Sequence, residues 1–254
     1  MRSEIEAILA LSMNPCADGV GSWKYCVLWQ DDSSNGKRPD PCLRRSLSYL
    51  DEVIERVFRT ELLRRVWVFS AQRGGYIRPH RDWQGIEPVF TRLHIPIQTN
   101  NQCFNSENDL VYHMDVGEIW FVDGSRPHSG GCFSDSSRLH LALDFVPQTN
   151  LTDLFRNHEE YRPSMLPRAI SRRPFTAAHL SSVYSLAAVA TDLNLTMLLD
   201  LLGAVHFEKQ VDCAAVYDWL IEIAHRTGNP ALIRRAEKIR MAYLGPTLLA
   251  SAAT

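Results

Sequence analysis

Three residues have the types and the spacing to hold one metal ion together: His80, Asp82 and His128. Residues two apart in a β-strand face the same side, so His80 and Asp82, in the segment 74–83, could both point into a barrel. His128 comes at the end of a second predicted strand and turn, residues 117–127. Two imidazoles and one carboxylate form the facial set that binds iron(II) and leaves three coordination positions for a bidentate cosubstrate and dioxygen.

The His-x-Asp pair alone is a weak signal, because surface pairs without any ligand role match it equally well. Arg138, inside the next predicted strand, strengthens the interpretation. Its guanidinium can bind a carboxylate through two hydrogen bonds and stays charged when partly buried. We therefore expect Arg138 to anchor the distal carboxylate of 2-oxoglutarate. The alternative is an ordinary ion pair with Asp144 or Asp135.

A third predicted strand, residues 91–97, carries Arg92 and His94 on one face. Two polar side chains on the same side of an apolar strand are unfavourable unless they meet an anion. They either line the active site or form a buried salt-bridged network, and the first interpretation is favoured, more for His94 than for Arg92. His140 shares a face with Arg138 and is interpreted as a hydrogen-bonded interior residue.

The elements that must position these residues change in character along the chain. Residues 23–147 contain short alternating apolar runs between Gly, Pro and Asn clusters, which is typical of strands and turns, with one early helix at 43–58. Beyond residue 171 the apolar spacing is helical. The predicted C-terminal helices are 177–190, 195–207, 214–225 and a last one that starts after Asn229 and ends at Gly245. We predict a strand-rich barrel followed by a helical C-terminal subdomain.

The composition narrows the class of protein. With 27 basic and 29 acidic residues among 254, a net charge of -2 gives no footprint for nucleic acid or an acidic membrane. The most apolar stretch, 186–205, is interrupted by Asp192, Asn194 and Asp200, which a membrane span rarely tolerates. None of the six cysteines forms a Cys-x-x-Cys pair, and the first residues have no signal-peptide pattern. We expect a cytoplasmic protein with a small-molecule partner, and the oligomeric state stays open.

Two regions of the sequence resemble a known family, the bacterial free L-proline 3-hydroxylases. These belong to the aspartyl/asparaginyl β-hydroxylase-like branch of the iron(II)- and 2-oxoglutarate-dependent oxygenases. The resemblance in the first region is carried by residues 111–114, 117–121, 123, 128–129, 133–134, 137–138 and 144–145. In the second region it is carried by residues 172–177, 204–206, 217–220 and 236–240.

The resemblance implies a mainly β fold with α elements. It predicts a double-stranded β-helix, a jelly-roll of the cupin type, in residues 1–150, and a helical C-terminal domain in residues 151–254. It also implies that His80, Asp82 and His128 are the iron ligands.

The family's other site residues fall on four further positions. Arg138 matches the arginine that binds the side-chain carboxylate of 2-oxoglutarate, and His94 matches a residue near the other end of that cosubstrate. Arg92 matches a carboxylate-binding position, for which the cosubstrate and the amino-acid substrate are both candidates. Ser70 lies one residue out of register from a serine that β-hydroxylase relatives use.

The activity implied by the resemblance uses iron(II), 2-oxoglutarate and dioxygen. The predicted reaction hydroxylates a free cyclic amino acid, L-proline or L-pipecolic acid, at carbon 3, and converts 2-oxoglutarate to succinate and carbon dioxide. Arg92 is then the candidate for the substrate carboxylate. One alternative is β-hydroxylation of another free or peptidyl amino acid, of the Asp or Asn type. The other is a non-catalytic cupin-like module, or a zinc enzyme with the same histidines.

Overall fold

The computed structural model describes residues 2–30, 47–82, 90–147, 150–157, 159, 161 and 167–245. The strands are β1 (Asn14–Pro15), β2 (Gly19–Val20), β3 (Lys24–Gln30), β4 (Leu63–Ala71), β5 (Gly75–His80), β6 (Thr91–Gln98), β7 (Cys103–Glu107), β8 (Leu110–Tyr112), β9 (Trp120–Phe121), β10 (His128–Cys132), β11 (Arg138–Phe145), β12 (Arg173–Pro174) and β13 (Lys209–Gln210). The α-helices are α1 (Arg2–Leu9), α2 (Ser48–Val57), α3 (Ala177–Ser185), α4 (Leu195–Leu202), α5 (Val205–Glu208), α6 (Ala215–Arg226) and α7 (Pro230–Leu244).

Two antiparallel sheets form the β part. The first has the strand order β1-β3-β4-β11-β6-β9, and the second has the order β2-β5-β10-β7-β8. Neighbouring strands in each sheet are mostly distant in sequence, as β4, β11 and β6 illustrate. This is the topology of a double-stranded β-helix, so the predicted fold class, mainly β with α elements, is confirmed.

The central strand β11 shows how the first sheet separates its two faces. All eight of its residues are buried, because a central strand is covered on both sides. Its odd-numbered residues, from Leu139 to Phe145, pack into the core under α1 and α2. Its even-numbered residues include Arg138, His140 and Asp144, which lie on the opposite face, inside the barrel. One strand therefore supplies both the core and a polar interior.

The helix α2 covers the outer face of the first sheet. Residues 43–46 of its predicted span lie outside the described residues, and the helix is seen from Ser48 to Val57. Leu50 and Ile54, one turn apart, are buried against the sheet together with Ile8 of α1. Two backbone N–H groups at the start of α2 donate to the carboxylate of Glu4, 2.6 Å from Tyr49 and 3.1 Å from Leu50. Glu4 thus ties α1 to α2.

The C-terminal residues form a second core among α3, α4, α6 and α7. Two predicted helices are shorter than expected. The span 177–190 ends as an α-helix at Ser185, and the span 195–207 divides into α4 and α5. The division between α4 and α5 falls at Gly203, where a Cβ would lie 2.6 Å from the Tyr76 hydroxyl oxygen. The predicted cap of α7 is confirmed, since the Asn229 side chain accepts from two N–H groups of its first turn.

The helices pack on the outer face of β5. The Tyr76 hydroxyl donates to the Asp200 carbonyl over 2.7 Å, and Arg78 Nε donates to the Asp200 carboxylate over 2.6 Å. Tyr217 donates its hydroxyl to the Pro79 carbonyl over 2.5 Å. These contacts hold the strand that carries His80. Within the described part of the chain, no helix is both long and apolar enough to cross a bilayer.

Candidate metal centre

An irregularity in the β5–β10 pairing directs His80 into the barrel. His128 pairs with His80, but Gly130 already pairs with Ile77, so β5 has one extra residue at Arg78 and Pro79. Such a bulge turns the strand and changes the direction of the side chains that follow it. The backbone carbonyls near the bulge keep partners, because Ser129 Oγ donates to the Ile77 carbonyl over 2.6 Å and Tyr217 bonds that of Pro79. His80 therefore faces His128 across the two strands.

Asp82 is held by a turn and not by strand alternation. We predicted that His80 and Asp82 share a strand face, but β5 ends at His80 and Asp82 follows it. The Asp82 N–H donates to the Gly124 carbonyl over 2.8 Å. A Cβ at Gly124 would lie 2.8 Å from the Asp82 Cβ and 3.1 Å from its Oδ2. The turn that precedes β10 thus packs directly against the carboxylate, and only glycine fits there without a shift.

The three side chains converge as one ligand set. One ligand atom from each of His80, Asp82 and His128 lies within 4.8 Å of the other two. The Asp82 oxygens are 3.5 Å from His80 Nε2 and 3.9 Å from His128 Nε2. Each histidine hydrogen-bonds a carbonyl two residues earlier through Nδ1, over 2.8 Å to Arg78 and 3.0 Å to Arg126. With the proton on Nδ1, both Nε2 lone pairs are free for a metal.

The protonation of this set is suited to a cation. Burial opposes ionisation of Asp82, but its hydrogen bond to His80 and the charge of Arg92 hold its pKa well below the usual range. Burial, and then the neighbouring His80, lowers the pKa of His128 to about 4. Burial also acts against a charged His80, yet the hydrogen bond and charge of Asp82 raise its pKa overall. A metal ion would displace that proton.

Arg92 connects the carboxylate of Asp82 to the carboxylate of Asp144. Its Nη1 donates to Asp82 Oδ2 over 3.1 Å, while Nε and Nη2 bind the Asp144 carboxylate over 2.6 and 3.0 Å. The indole of Trp67 adds a bond of 2.7 Å to Asp144. Arg92 therefore belongs to a buried salt-bridged network, and this network ends on Asp82, a candidate metal ligand. This arrangement fixes one Asp82 oxygen in place.

Arg138 lies inside the barrel and is 3% exposed. It donates to Asn105 and, over 3.3 Å, to His140, and its guanidinium lies 5.2 Å from the centre of the Trp23 ring. Its Nε has no hydrogen-bond partner among the described residues. Burial lowers its pKa to about 10, as expected for a cation that lacks a neutralising partner.

The ion-pair alternative for Arg138 is not what the structure shows. Asp144 is bound by Arg92, and Asp135 pairs with Arg73 at the surface, over 3.1 Å. Among the described residues, no carboxylate forms a salt bridge with Arg138. A buried cation without an anion is unfavourable, so this part of the interior is suited to an anionic ligand.

His94 and Ser70 lie on different faces of the first sheet. His94 points into the barrel between Phe69 and His140, with ring-centre distances of 6.3 Å to each. Burial and the charges of the neighbouring arginines hold its pKa well below the usual value, so it is neutral. Ser70 pairs with Leu139, on the face of the outer core, and lines a surface pocket with Lys24. Strand alternation thus brings His94 to the site and takes Ser70 away from it.

Comparison with known proteins places this geometry in a family. The aspartyl/asparaginyl β-hydroxylase family matches residues 1–147, and the C-terminal domain of L-proline 3-hydroxylase matches residues 152–246. The chain belongs to this hydroxylase family. An L-proline cis-4-hydroxylase of Rhizobium meliloti is 33% identical over 89% of this chain and 83% of its own length. L-proline cis-3-hydroxylase 2 of a Streptomyces species is 31% identical over 87% of this chain and 81% of its own.

The chain is thus an enzyme that hydroxylates an amino acid. Among solved structures, an oxidoreductase of the 2OG-Fe(II) oxygenase family from Burkholderia pseudomallei is similar, and the match covers 61% of this chain and 82% of that protein. The identity is 15% and the TM-score is 0.40, so the likeness carries no argument about function.

Two contributors to the candidate site, Gly124 and Asn105, are absent from the sequence prediction, and Asp144 was considered there only as a partner of Arg138. Gly124 buttresses Asp82, Asn105 accepts from Arg138, and Asp144 holds Arg92. Gly124 lies in a turn, and Asn105 lies on β7, whose pairing with β10 local spacing does not reveal. His140 was interpreted as a hydrogen-bonded interior residue. Its ring has one partner in Arg138, and its Nε2 has none among the described residues.

Proposed function

We propose that this hydroxylase uses iron(II), 2-oxoglutarate and dioxygen to hydroxylate a free cyclic amino acid, L-proline or L-pipecolic acid, at carbon 3. The observation that supports this best is a three-residue ligand set inside the same barrel as a buried arginine with no carboxylate partner among the described residues. One anion that both chelates a metal and extends a distal carboxylate to a cation satisfies both features. The coproducts are succinate and carbon dioxide.

The residues present fit the proposed groups. Two neutral imidazole nitrogens and one ionised carboxylate are the donors that iron(II) oxygenases use. The Nε of Arg138, which has no partner in the described part of the chain, offers a hydrogen bond to a carboxylate. When bound, the iron and its cosubstrate supply the oxidising chemistry that no side chain can provide.

Each side chain then has a distinct task. His80, Asp82 and His128 hold the metal, and Arg138 binds the distal carboxylate of 2-oxoglutarate. His94 would lie near the chelating end of the bound cosubstrate, as the family resemblance implies. Arg92 orients Asp82, and we keep it as the candidate for the substrate carboxylate, since a guanidinium has five N–H donors and three of its bonds are accounted for. Ser70 has no part in this proposal, because it faces the outer core.

Carbon 3 is the first choice, with carbon 4 as its direct competitor. The relative that is 33% identical is named a cis-4-hydroxylase, and those at 31% and 29% are named cis-3-hydroxylases. The C-terminal match to L-proline 3-hydroxylase favours a cyclic amino acid over an aspartyl or asparaginyl substrate. β-Hydroxylation of another free or peptidyl amino acid is the second candidate, supported by the family matched at residues 1–147.

A substrate panel tests the proposal. The purified protein is incubated with iron(II), 2-oxoglutarate and air, together with L-proline, L-pipecolic acid, L-aspartate, L-asparagine or an Asp- and Asn-containing peptide. Mass spectrometry detects the gain of one oxygen, and NMR of the product locates it. We expect hydroxylation of proline or pipecolic acid at carbon 3. Gain of oxygen on the peptide alone would refute a free cyclic substrate.

The non-catalytic alternative, a cupin-like binding module or zinc protein, is tested without turnover. Under anaerobic conditions, iron(II) with 2-oxoglutarate should produce the weak visible charge-transfer band of the chelate. Tight zinc binding without that band would contradict the oxygenase proposal. The cytoplasmic location and the absence of nucleic-acid or membrane partners stay predictions from the sequence.

A further inference from the structure

His140 occupies a position that the metal site does not explain. It is 1% exposed and lies two residues after Arg138 on the interior face of β11. Its Nδ1 lies 3.3 Å from Arg138 Nη2, and its Nε2 has no hydrogen-bond partner among the described residues. A buried polar atom without a partner loses its solvation without compensation, so native proteins rarely leave one unmatched.

The hydrogen positions of this histidine follow from its neighbour. A guanidinium carries only donors, so the Nδ1 of His140 must accept the bond from Arg138. Burial, with the charge of Arg138 and the nearby His94, holds the pKa of His140 well below the usual value, so the ring is neutral. A neutral ring that accepts at Nδ1 carries its hydrogen on Nε2. His140 is therefore a buried donor without an acceptor among the residues that the structure describes.

Arg138 also has a buried donor without an acceptor among the described residues. Its Nη2 is used by Asn105 and His140, and its Nε lacks a partner among the described residues. Gly130 keeps space in front of the guanidinium, because a Cβ there would lie 3.2 Å from both Nη1 and Nη2. Two adjacent residues of one strand face thus present unsatisfied donors inside the barrel, one of them cationic.

We infer that His140 is a second cosubstrate-binding residue, whose Nε2–H donates to the distal carboxylate that Arg138 binds. The inference rests on the proposed use of 2-oxoglutarate. A carboxylate has two oxygens and about four acceptor sites, so one group can satisfy both residues. Arg138 supplies the charge, and His140 supplies a fixed neutral donor that selects a dicarboxylate of the right length.

The test compares two cosubstrates that differ only at the distal end. Binding of 2-oxoglutarate and of 2-oxobutyrate, which lacks the distal carboxylate, is titrated under anaerobic conditions on the iron(II) protein through the visible chelate band. The variants are His140→Leu and His140→Met, which remove the donor, and His140→Gln, which keeps an N–H. His113→Leu is the matched control, since this half-buried histidine bonds the Cys103 carbonyl, outside the proposed site.

For both apolar variants we expect affinity for 2-oxoglutarate to fall about 10- to 100-fold, the value of a hydrogen bond to a charged group. Affinity for 2-oxobutyrate should stay within about twofold of wild type, and His140→Gln should recover much of the loss. Equal losses for the two ligands, or no loss for either, would overturn the inference and leave the proposed function standing. Failure of the wild-type protein to bind 2-oxoglutarate would overturn both.

Discussion

Replacing Gly124 by alanine should damage the proposed metal site although no metal ligand is replaced. The added Cβ would lie 2.8 Å from the Asp82 Cβ, whereas carbon atoms in contact normally stay about 3.5–4.0 Å apart. The turn or the aspartate must therefore move by about 1 Å. Metal sites tolerate errors of only about 0.2 Å in ligand distances. Because Asp82 also bonds the Gly124 carbonyl, the shift cannot be absorbed by rotating one side chain.

The expected result is a loss of metal affinity of about 10- to 100-fold, the range seen when groups that orient metal ligands are changed. This corresponds to a loss of about 1.4–2.7 kcal/mol in the free energy of metal binding. Iron(II) affinity is measured anaerobically by competition with a coloured chelator, and turnover is measured at saturating iron. Circular dichroism and thermal unfolding verify that the variant is folded.

Ser125→Ala is the matched control for Gly124→Ala. Ser125 is in the same turn, and its hydroxyl bonds only Asp123 among the described residues, so metal affinity should stay within about twofold of wild type. A folded Gly124→Ala protein with wild-type affinity and turnover would refute the contact between this turn and the ligand carboxylate.

Three further predictions address other parts of the structure. Asp82→Ala should lower turnover at least about 100-fold in the product assay, because the anionic ligand is lost; normal turnover would exclude Asp82 as a ligand. Arg138→Ala should raise the 2-oxoglutarate concentration for half-maximal rate about 10- to 100-fold, with a smaller effect on the proline requirement, and unchanged kinetics would refute its role. Burial lowers the pKa of His206 to about 3, below the unfolded value of 6.5, so the unfolded state binds the extra proton between these values and stability falls with pH below 6.5. Between pH 7.5 and 5, the free energy of unfolding, measured with urea, should fall by about 2 kcal/mol more for wild type than for His206→Gln. Equal decreases for the two proteins would contradict this.

The sequence predicted which residues form the candidate metal site better than it predicted how the backbone positions them. His80, Asp82 and His128 do come together, because they flank paired strands. Strand alternation does not explain how His80 and Asp82 meet, however, because β5 ends at His80. A bulge at Arg78 and Pro79 directs His80 inward, and the Pro79 carbonyl at this bulge accepts a hydrogen bond from Tyr217, which is more than 100 residues away. Spacing within one segment carries no information about such contacts.

Alternation was reliable where strands are long and central. It placed Arg92 and His94 on one face of β6, and Arg138 and His140 on one face of β11, as the pairing of these strands shows. Ser70 lies on the outer face because it pairs with Leu139, a register that only the structure shows. Family spacing alone had suggested Ser70.

Helix ends show a similar division. Asn229 and Gly245 predicted the start and the end of α7, because caps are local features. At the break, Tyr76 of a distant strand packs against Gly203 and donates to the Asp200 carbonyl, and helical periodicity in the sequence gives no sign of this contact. Local chemistry therefore sets the caps, whereas tertiary packing sets the interruptions.

The central claim is that this site couples decarboxylation of 2-oxoglutarate to hydroxylation of a free cyclic amino acid. The most direct measurement is the stoichiometry of succinate and singly oxygenated product, determined by mass spectrometry with iron(II) and the better of L-proline and L-pipecolic acid. The account predicts close to one product molecule for each succinate, and neither compound without iron. Succinate without an oxygenated amino acid, or an oxygenated product that forms without 2-oxoglutarate, would contradict it.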